Sequence, residues 1–205
     1  MAKLYFKFGA MGSSKSAQAL MTKFNYEEKN KNVFLMKPAT DDRGDEVDEF
    51  GNVTAEVRSR IGLKAPAVTV SDNDNIIDMY LERDKKQKVD VIICDECQFL
   101  TEVQIEQMKD IADMYDVPVL CFGLRADFRT RLFPGSKRLF EIADSITEIK
   151  SICRCGRKAT VNARLDGKGN IRTEGSQVFI GGNESYVGMC YKCYHEQIRK
   201  QNGEK

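Results

Sequence analysis

The sequence predicts an α/β fold, a parallel sheet with helices on both faces, followed by a small metal-clipped lobe. Three observations carry this expectation. Up to about residue 150, short apolar runs alternate with longer amphipathic stretches, the pattern of successive β–α–β units. One of those runs, Val89 to Cys94, is almost wholly apolar and β-branched, as a strand buried on both faces should be. After Ile149 the alternation stops and two close cysteine pairs appear, so a boundary falls there, between residues 1–150 and 151–205.

The elements follow in order. Leu4-Tyr5-Phe6-Lys7-Phe8 reads as the first strand and Lys15 to Phe24 as a helix. Val33 to Met36 is a strand stopped by Pro38. Thr40 to Asn52 is acidic, contains glycine and has few apolar residues, so it reads as a mobile loop. Ala67 to Val70 is a short strand and Asn75 to Lys85 a helix. Thr101 and Gln104 have the spacing of a capping box, and Ile105, Met108, Ala112 and Tyr115 make one apolar face behind it. Val117 to Phe122 is a further buried strand. In the second region, Ala159 to Leu165 and Gln177 to Ile180 read as strands, with a hairpin turn at Asp166-Gly167-Lys168-Gly169-Asn170. Tyr191 to Gln201 suits one short polar helix.

Composition narrows the class. The 205 residues carry 32 basic and 31 acidic side chains, a net charge of +1. That balance argues against charge-driven disorder and against a globally basic nucleic-acid surface. No apolar run approaches the roughly 18 residues of a membrane span. Lys7 comes too early for the apolar region of a signal peptide, so the expected location is the cytoplasm, with no membrane partner. Seven cysteines, an odd number, fit a disulfide framework poorly. Cys94, Cys97 and Cys121 lie in or beside apolar runs and read as core.

The first strand runs into Gly9-Ala10-Met11-Gly12-Ser13-Ser14-Lys15-Ser16, between a strand and a helix. The phosphate-loop pattern GxxxxGK[ST] occupies that context. Small residues let backbone N–H groups turn toward phosphate oxygens. Lys15 would reach the β- and γ-phosphates and the Ser16 hydroxyl would ligate Mg²⁺. Ser14 stands where glycine is expected, and its Cβ disfavours positive φ. The strand Val89 to Cys94 ends in Asp95-Glu96. A terminal Asp on such a strand holds Mg²⁺, which gives Asp95 that role beside Ser16. Glu96 points to the opposite side if the strand persists, and a carboxylate near the γ-phosphate can take a proton from an attacking hydroxyl. Together the two motifs predict a P-loop NTPase-type sheet with a nucleoside-triphosphate–Mg²⁺ site, so residues 1–150 read as the nucleotide-binding domain.

Cys153-x-Cys155 and Cys190-x-x-Cys193 offer four thiolates from two knuckles, a set that suits tetrahedral, structural Zn²⁺. His195 is an alternative to Cys193 at a less usual spacing, and free thiols are the other reading. A closed four-sulfur site leaves no open position for catalysis. Such a clip would anchor both ends of the segment from Gly156 to Met189, making residues 151–205 a zinc-binding domain.

Strand, phosphate loop, Asp-Glu strand end and a zinc clip closing a Gly-rich loop resemble the zinc-containing cytosolic thymidine kinases, in their bacterial form. The resemblance covers nearly the whole chain. Asp95-Glu96-Cys97-Gln98-Phe99 is similar to the family's Asp-Glu-x-Gln-Phe, and Gly123-Leu124-Arg125-Ala126-Asp127-Phe128-Arg129 to its substrate segment. Ser59-Arg60-Ile61-Gly62, Cys153 to Lys158, Ile180-Gly181-Gly182-Asn183-Glu184-Ser185-Tyr186 and the second cysteine pair follow in the family's order.

The resemblance implies transfer of the γ-phosphoryl of ATP to the 5′-hydroxyl of thymidine or deoxyuridine, with Glu96 as general base. It implies that Gly9 to Ser16 and Asp95 to Gln98 form the ATP site. Phe99 and Leu124 fall on the nucleoside side, with Phe128 packing against the base. Gln177, Val178, Phe179, Ile180 and Gly181 match a "lasso" loop whose main chain reads the base, and Tyr186 matches a lasso tyrosine at the sugar. A homotetramer inhibited by dTTP, with no nucleic-acid partner, is implied as well.

Without the resemblance, Phe128 and Tyr186 read equally as core residues, and Gly181-Gly182 as a turn. Arg125, Arg129, Arg131, Lys137 and Arg138 make a basic stretch that suits either a solvated face or a phosphate-facing patch. Two competing functions remain open at this point. One is a P-loop NTPase whose zinc ribbon grips nucleic acid. The other is a non-catalytic nucleotide-binding homologue, motivated by Ser14.

Overall fold

The computed structural model describes residues 1–41, 45–47, 53–177 and 186–203. The expected lasso positions Val178, Phe179, Ile180 and Gly181 lie outside the described residues.

The chain begins β1 (Leu4–Phe8), α1 (Lys15–Glu27) and β2 (Val33–Pro38). Two short antiparallel pairs follow, β3 (Glu46–Val47) with β4 (Val53–Thr54) and β5 (Glu56–Arg58) with β6 (Lys64–Pro66). Next come β7 (Val68–Val70), α2 (Ile76–Lys86), β8 (Val91–Cys94), a 3₁₀ turn at Cys97–Phe99 and α3 (Glu102–Tyr115). Then come β9 (Val119–Gly123), α4 (Pro134–Ile142) and β10 (Ser145–Glu148). The last elements are β11 (Val161–Arg164), β12 (Tyr186–Met189) and α5 (Tyr191–Gln201).

Six strands form one sheet in the order β10-β1-β9-β8-β2-β7, and every pairing in it is parallel. Period-two alternation sends successive side chains to opposite faces. Leu4, Phe6, Phe34, Met36, Ile92, Cys94, Val119 and Cys121 pack under α2, α3 and α4 through Ile76, Tyr80, Ile105, Met108, Ile111 and Leu139. Leu35, Val91, Ile93, Leu120 and Phe122 pack on the other face against Ala19 and Leu20 of α1, with Val57 and Ala65 beyond. Burial on both faces is why these strands read as unbroken apolar runs. The three expected core cysteines are fully buried.

The start of α3 is as expected. Thr101 Oγ1 accepts from Gln104 N at 3.2 Å and Gln104 Oε1 accepts from Thr101 N at 3.1 Å. Asn75 caps α2 by accepting from the N–H groups of Ile77 and Asp78. Three elements carry no clear sequence signal. The edge strand β10 is Ser-Ile-Thr-Glu, too polar to stand out. The helix α4 starts with Pro134 at its first turn inside a basic stretch. Part of the segment expected to be loop forms the β3–β4 pair instead.

The turn of the second region is as expected. The turn Asp166 to Asn170 forms, with Asp166 N donating to Asn170 O at 2.9 Å and Leu165 bridging Ile171. The strand before it, β11, pairs antiparallel with β12 in the register Val161↔Met189 and Arg164↔Tyr186, and the expected strand Gln177 to Ile180 lies, beyond Gln177, outside the described residues. Turn chemistry is local and was legible. The partner strand is set by the cysteine pairs, which draw both ends of the lobe together.

Candidate active site

The phosphate loop joins β1 to α1. Gly9 N donates to Gly123 O at 3.2 Å, which seats the loop's start beside the end of β9. A Cβ on Gly9 would lie 2.3 Å from Ser13 Oγ and 2.4 Å from Ile149 O, so only glycine fits. Ser14 adopts φ 62° and ψ 30°, the left-handed region. The loop therefore keeps the turn that glycine would make freely, at a backbone cost of about 1–2 kcal/mol. Lys15 is buried, and its Nζ donates to Ala10 O at 3.2 Å, folding back over the loop.

Asp95 and Glu96 follow β8, which is separated from β1 by β9. Asp95 is buried within reach of the Ser16 hydroxyl, and burial followed by repulsion from Glu96 pushes its carboxyl up to about 7 against the pull of Ser16 and Lys15. Its Oδ1 has no hydrogen-bond partner among the described residues. An orphaned, buried carboxylate oxygen beside a serine hydroxyl is what a hard divalent cation needs, so Ser16 and Asp95 fit Mg²⁺.

The expectation that Glu96 would point away from Asp95 assumed a persisting strand. The strand ends at Cys94, and Glu96 takes φ 51°, ψ 34° ahead of the 3₁₀ turn. Both carboxylates therefore line one cavity of about 210 Å³ with Met11, Gly12, Ser14, Lys15 and Ser16. Ser59, Arg60 and Ile61 from the end of β5 close its far side. A non-glycine residue held in the left-handed region stores strain of about 1–3 kcal/mol, which neighbours must sustain.

Gln98 supplies that support. Its Nε2 donates to Glu96 Oε2 at 2.6 Å, and its Oε1 accepts from Leu124 N at 2.9 Å. Because Leu124 N–H can only donate, the amide orientation is fixed. Gly123 leaves room for this contact, since a Cβ there would lie 2.6 Å from Gln98 Oε1. Gln98 is 1% exposed and Cys97 lies in the apolar core, so neither lines the cavity.

None of the described residues predicted for the nucleoside lines that cavity. Leu124 and Phe128 are buried, and the Phe128 ring has the guanidinium groups of Arg129 and Arg164 at 5.6 and 5.5 Å from its centre. Asp127 is buried and its Oδ1 accepts from the N–H groups of Arg129 and Arg131, fixing the turn that presents Phe128. Phe99 stacks edge-on against Phe133. Gln177 Nε2 donates to Leu132 O at 3.4 Å. Tyr186 opens β12, opposite Arg164.

Cys153, Cys155, Cys190 and Cys193 bring their four sulfurs within 4.8 Å of one another. Zinc–sulfur bonds of about 2.3 Å place tetrahedral sulfurs about 3.8 Å apart. The Cys155 and Cys190 sulfurs are 3.6 Å apart, so the cluster fits the ion. The Cys193 N–H points at Cys190 Sγ and lowers that thiol's pKa, favouring the thiolate. His195 is not in the cluster; it stacks on Tyr191 with ring centres 4.2 Å apart.

Residues of the lobe bond both to the phosphate loop and to the segment that carries Phe128. Asn162 of β11 accepts from Met11 N at 2.8 Å and donates to Ala126 O at 2.7 Å. Tyr194 of α5 donates its hydroxyl to Phe128 O at 2.9 Å, and Arg125 donates to Thr160 O at 3.1 Å. Sequence reasoning assigned nothing to Asn162, Arg164 or Tyr194. The available signal was faint: two polar residues in a strand, Val161-Asn162-Ala163-Arg164, that is buried throughout.

Comparisons with known proteins agree with this geometry. The family model described as "Thymidine kinase" matches residues 2–194. A thymidine kinase of Shewanella oneidensis is 43% identical over 97% of this chain and 99% of its own length. Thymidine kinases of Escherichia coli (97% of this chain, 93% of the relative) and Haemophilus influenzae (96% and 98%) are each 42% identical. Matched over nearly its whole length by that family model and by these relatives, this chain belongs to the thymidine kinase family.

Proposed function

We propose that this chain transfers the γ-phosphoryl group of ATP to the 5′-hydroxyl of thymidine, and of deoxyuridine, with Glu96 as general base. Thymidine phosphorylation is the activity of the family to which it belongs. The observation that carries the assignment of roles is the shared cavity, in which the phosphate loop faces both Asp95 and Glu96.

The 5′-oxygen attacks the γ-phosphorus as the bond to the β,γ-bridging oxygen breaks, leaving ADP. Glu96 takes the hydroxyl proton, and Gln98 holds the carboxylate toward that position. Lys15 and the loop N–H groups stabilise charge on the transferring group. Ser16 and Asp95 would hold Mg²⁺, which neutralises β- and γ-phosphate oxygens when bound. Phe128, framed by Arg129 and Arg164, presents the base platform. The four cysteines would hold structural Zn²⁺ and so fix the ends of the lasso carrying Gln177, Val178, Phe179, Ile180 and Gly181.

On this reading residues 1–150 bind nucleotide and residues 151–205 order the nucleoside side. On the same reading dTTP inhibits the enzyme by occupying the thymidine pocket. Exposed Met21, Phe24 and Leu63 offer an apolar surface for the homotetramer. Seven cysteines with no disulfide among them suit the cytoplasm, and no helix among the described residues is long and apolar enough to cross a membrane.

The test is ADP release from ATP-Mg²⁺ with thymidine, deoxyuridine, each other nucleoside, single-stranded DNA, or no acceptor. Turnover confined to thymidine and deoxyuridine is the expected result. Stimulation by DNA alone would favour a nucleic-acid-dependent NTPase. No turnover from zinc-loaded protein that binds nucleotide would make the chain a non-catalytic homologue.

A further inference from the structure

We propose that Asn162 is the positioning residue that sets the phosphate loop and the nucleoside segment at one fixed separation. The inference rests on the kinase reading and extends it to a residue of the zinc lobe.

Asn162 is 4% exposed, in the middle of β11. Its two bonds leave in different directions. Oδ1 accepts from the backbone N–H of Met11, inside the phosphate loop, and Nδ2 donates to the backbone carbonyl of Ala126, inside the segment that carries Phe128. Met11 N–H can only donate and Ala126 C=O can only accept, so the amide has one satisfied orientation. Both partners are main-chain atoms, so the bridge constrains the loops themselves rather than rotatable side chains.

The chemistry requires an amide. A neutral side chain offering one acceptor and one donor in a single plane meets both demands without burying a charge. The neighbouring backbone is seated closely as well: a Cβ on Gly188, opposite Asn162 in the β11–β12 ladder, would lie 2.7 Å from Met11 O. Arg125 to Thr160 and Tyr194 to Phe128 tie the lobe to the nucleoside segment alone. Among the lobe's hydrogen bonds described above, the Asn162 amide is the group that reaches both the phosphate loop and the nucleoside segment. In-line transfer depends on the separation of the 5′-oxygen and the γ-phosphorus, and a misplacement of about 1 Å costs on the order of a hundredfold in rate.

The test uses full-length, zinc-loaded protein. Wild type is assayed first with thymidine, so that failure of the kinase reading shows there and not in the variants. Asn162→Leu keeps a similar volume and removes both bonds. Asn162→Asp keeps the acceptor toward Met11 N–H but sets a second oxygen against Ala126 O. Kinetic constants are taken per folded, zinc-containing chain, with Mg·ADP affinity measured directly by calorimetry.

The expected result for Asn162→Leu is a fall in kcat/KM for thymidine of about tenfold or more, with weakened Mg·ADP binding. Asn162→Asp should raise the thymidine KM similarly while Mg·ADP affinity stays within about threefold of wild type. A merely structural role would lower the folded fraction and leave these constants unmoved. Wild-type constants in folded Asn162→Leu would overturn the proposal. Should that variant not fold, a wild-type thymidine KM in Asn162→Asp would overturn it equally.

Discussion

The two halves of the site are built by opposite means. The phosphate half stands on the ends of β1 and β8, inner strands of the sheet, β8 buried on both faces and β1 buried at Leu4 and Phe6. Its geometry comes from a tight loop and from strand ends that the sheet brings together. The nucleoside half is held by parts far apart in the chain: four cysteines spanning residues 153 to 193, Tyr194 to Phe128, and Asn162 to both loops. Among the described residues, its lobe has a two-stranded sheet and small apolar clusters around Ala159, Val161 and Tyr194. A core that small does not order a loop unaided, which gives the metal clip its physical purpose.

The comparison is broken most severely by removing the clip. Cys190→Ser, or chelation of the metal, should lower thymidine kcat/KM by about a hundredfold or more through lost positioning. Far-UV circular dichroism should meanwhile retain the signal of the six-stranded core. Simultaneous loss of core structure would show that the halves do not differ in this way.

A smaller effect falls on the junction between the halves. Gln98→Met removes the amide that joins Glu96 to Leu124 N–H. A bond to a carboxylate contributes about 1.5–3 kcal/mol, so kcat should fall about tenfold or more. Steady-state kinetics with saturating thymidine and ATP would reveal it, and an unchanged kcat would mean that Glu96 holds its position unaided.

Ser14→Gly tests strain on the phosphate side alone. Relief of about 1 kcal/mol at the left-handed position should tighten ATP binding by up to about fivefold. The thymidine KM should stay where it is. Unchanged ATP affinity would show that the loop carries the serine without cost.

The mildest change lies on the sheet, away from both sites. Asp144 Oδ2 accepts from Leu4 N at 2.7 Å, and the carboxylate pairs with Lys109. The Lys109 hydrogen bond, then the Leu4 N–H, hold its carboxyl below the ordinary 3.8. The folded state thus favours the ionised form, a stabilisation present above that value and lost as pH falls through it. Asp144→Asn should cost about 1 kcal/mol at neutral pH and flatten the acid side of the stability profile. Urea unfolding at pH 7 and pH 3 would measure both, and activity at pH 7 should hold.

The same division explains what could be read from the letters. Apolar runs announced the central strands because both their faces are buried, and Thr101 with Gln104 announced α3 because capping is local. Asp95 and Glu96 were identified, but their side chains' directions were not. That depended on Glu96 leaving the strand for the left-handed region, a choice enforced by Gln98 and Leu124. The edge strand Ser145–Glu148 was silent because one flank meets solvent and its residues are polar. Pairing of β11 with β12, and the bridge made by Asn162, depend on contacts across roughly 25 to 150 residues of sequence, which no local pattern encodes.

The most direct measurement is single-turnover phosphoryl transfer by Glu96→Gln, with the affinities of Mg·ADP and thymidine measured separately. Removing a general base should slow the chemical step by about 10²–10⁴-fold while both affinities remain within a few-fold of wild type. A wild-type rate of transfer would contradict the role given to Glu96 and, with it, the assembly of the site around that carboxylate.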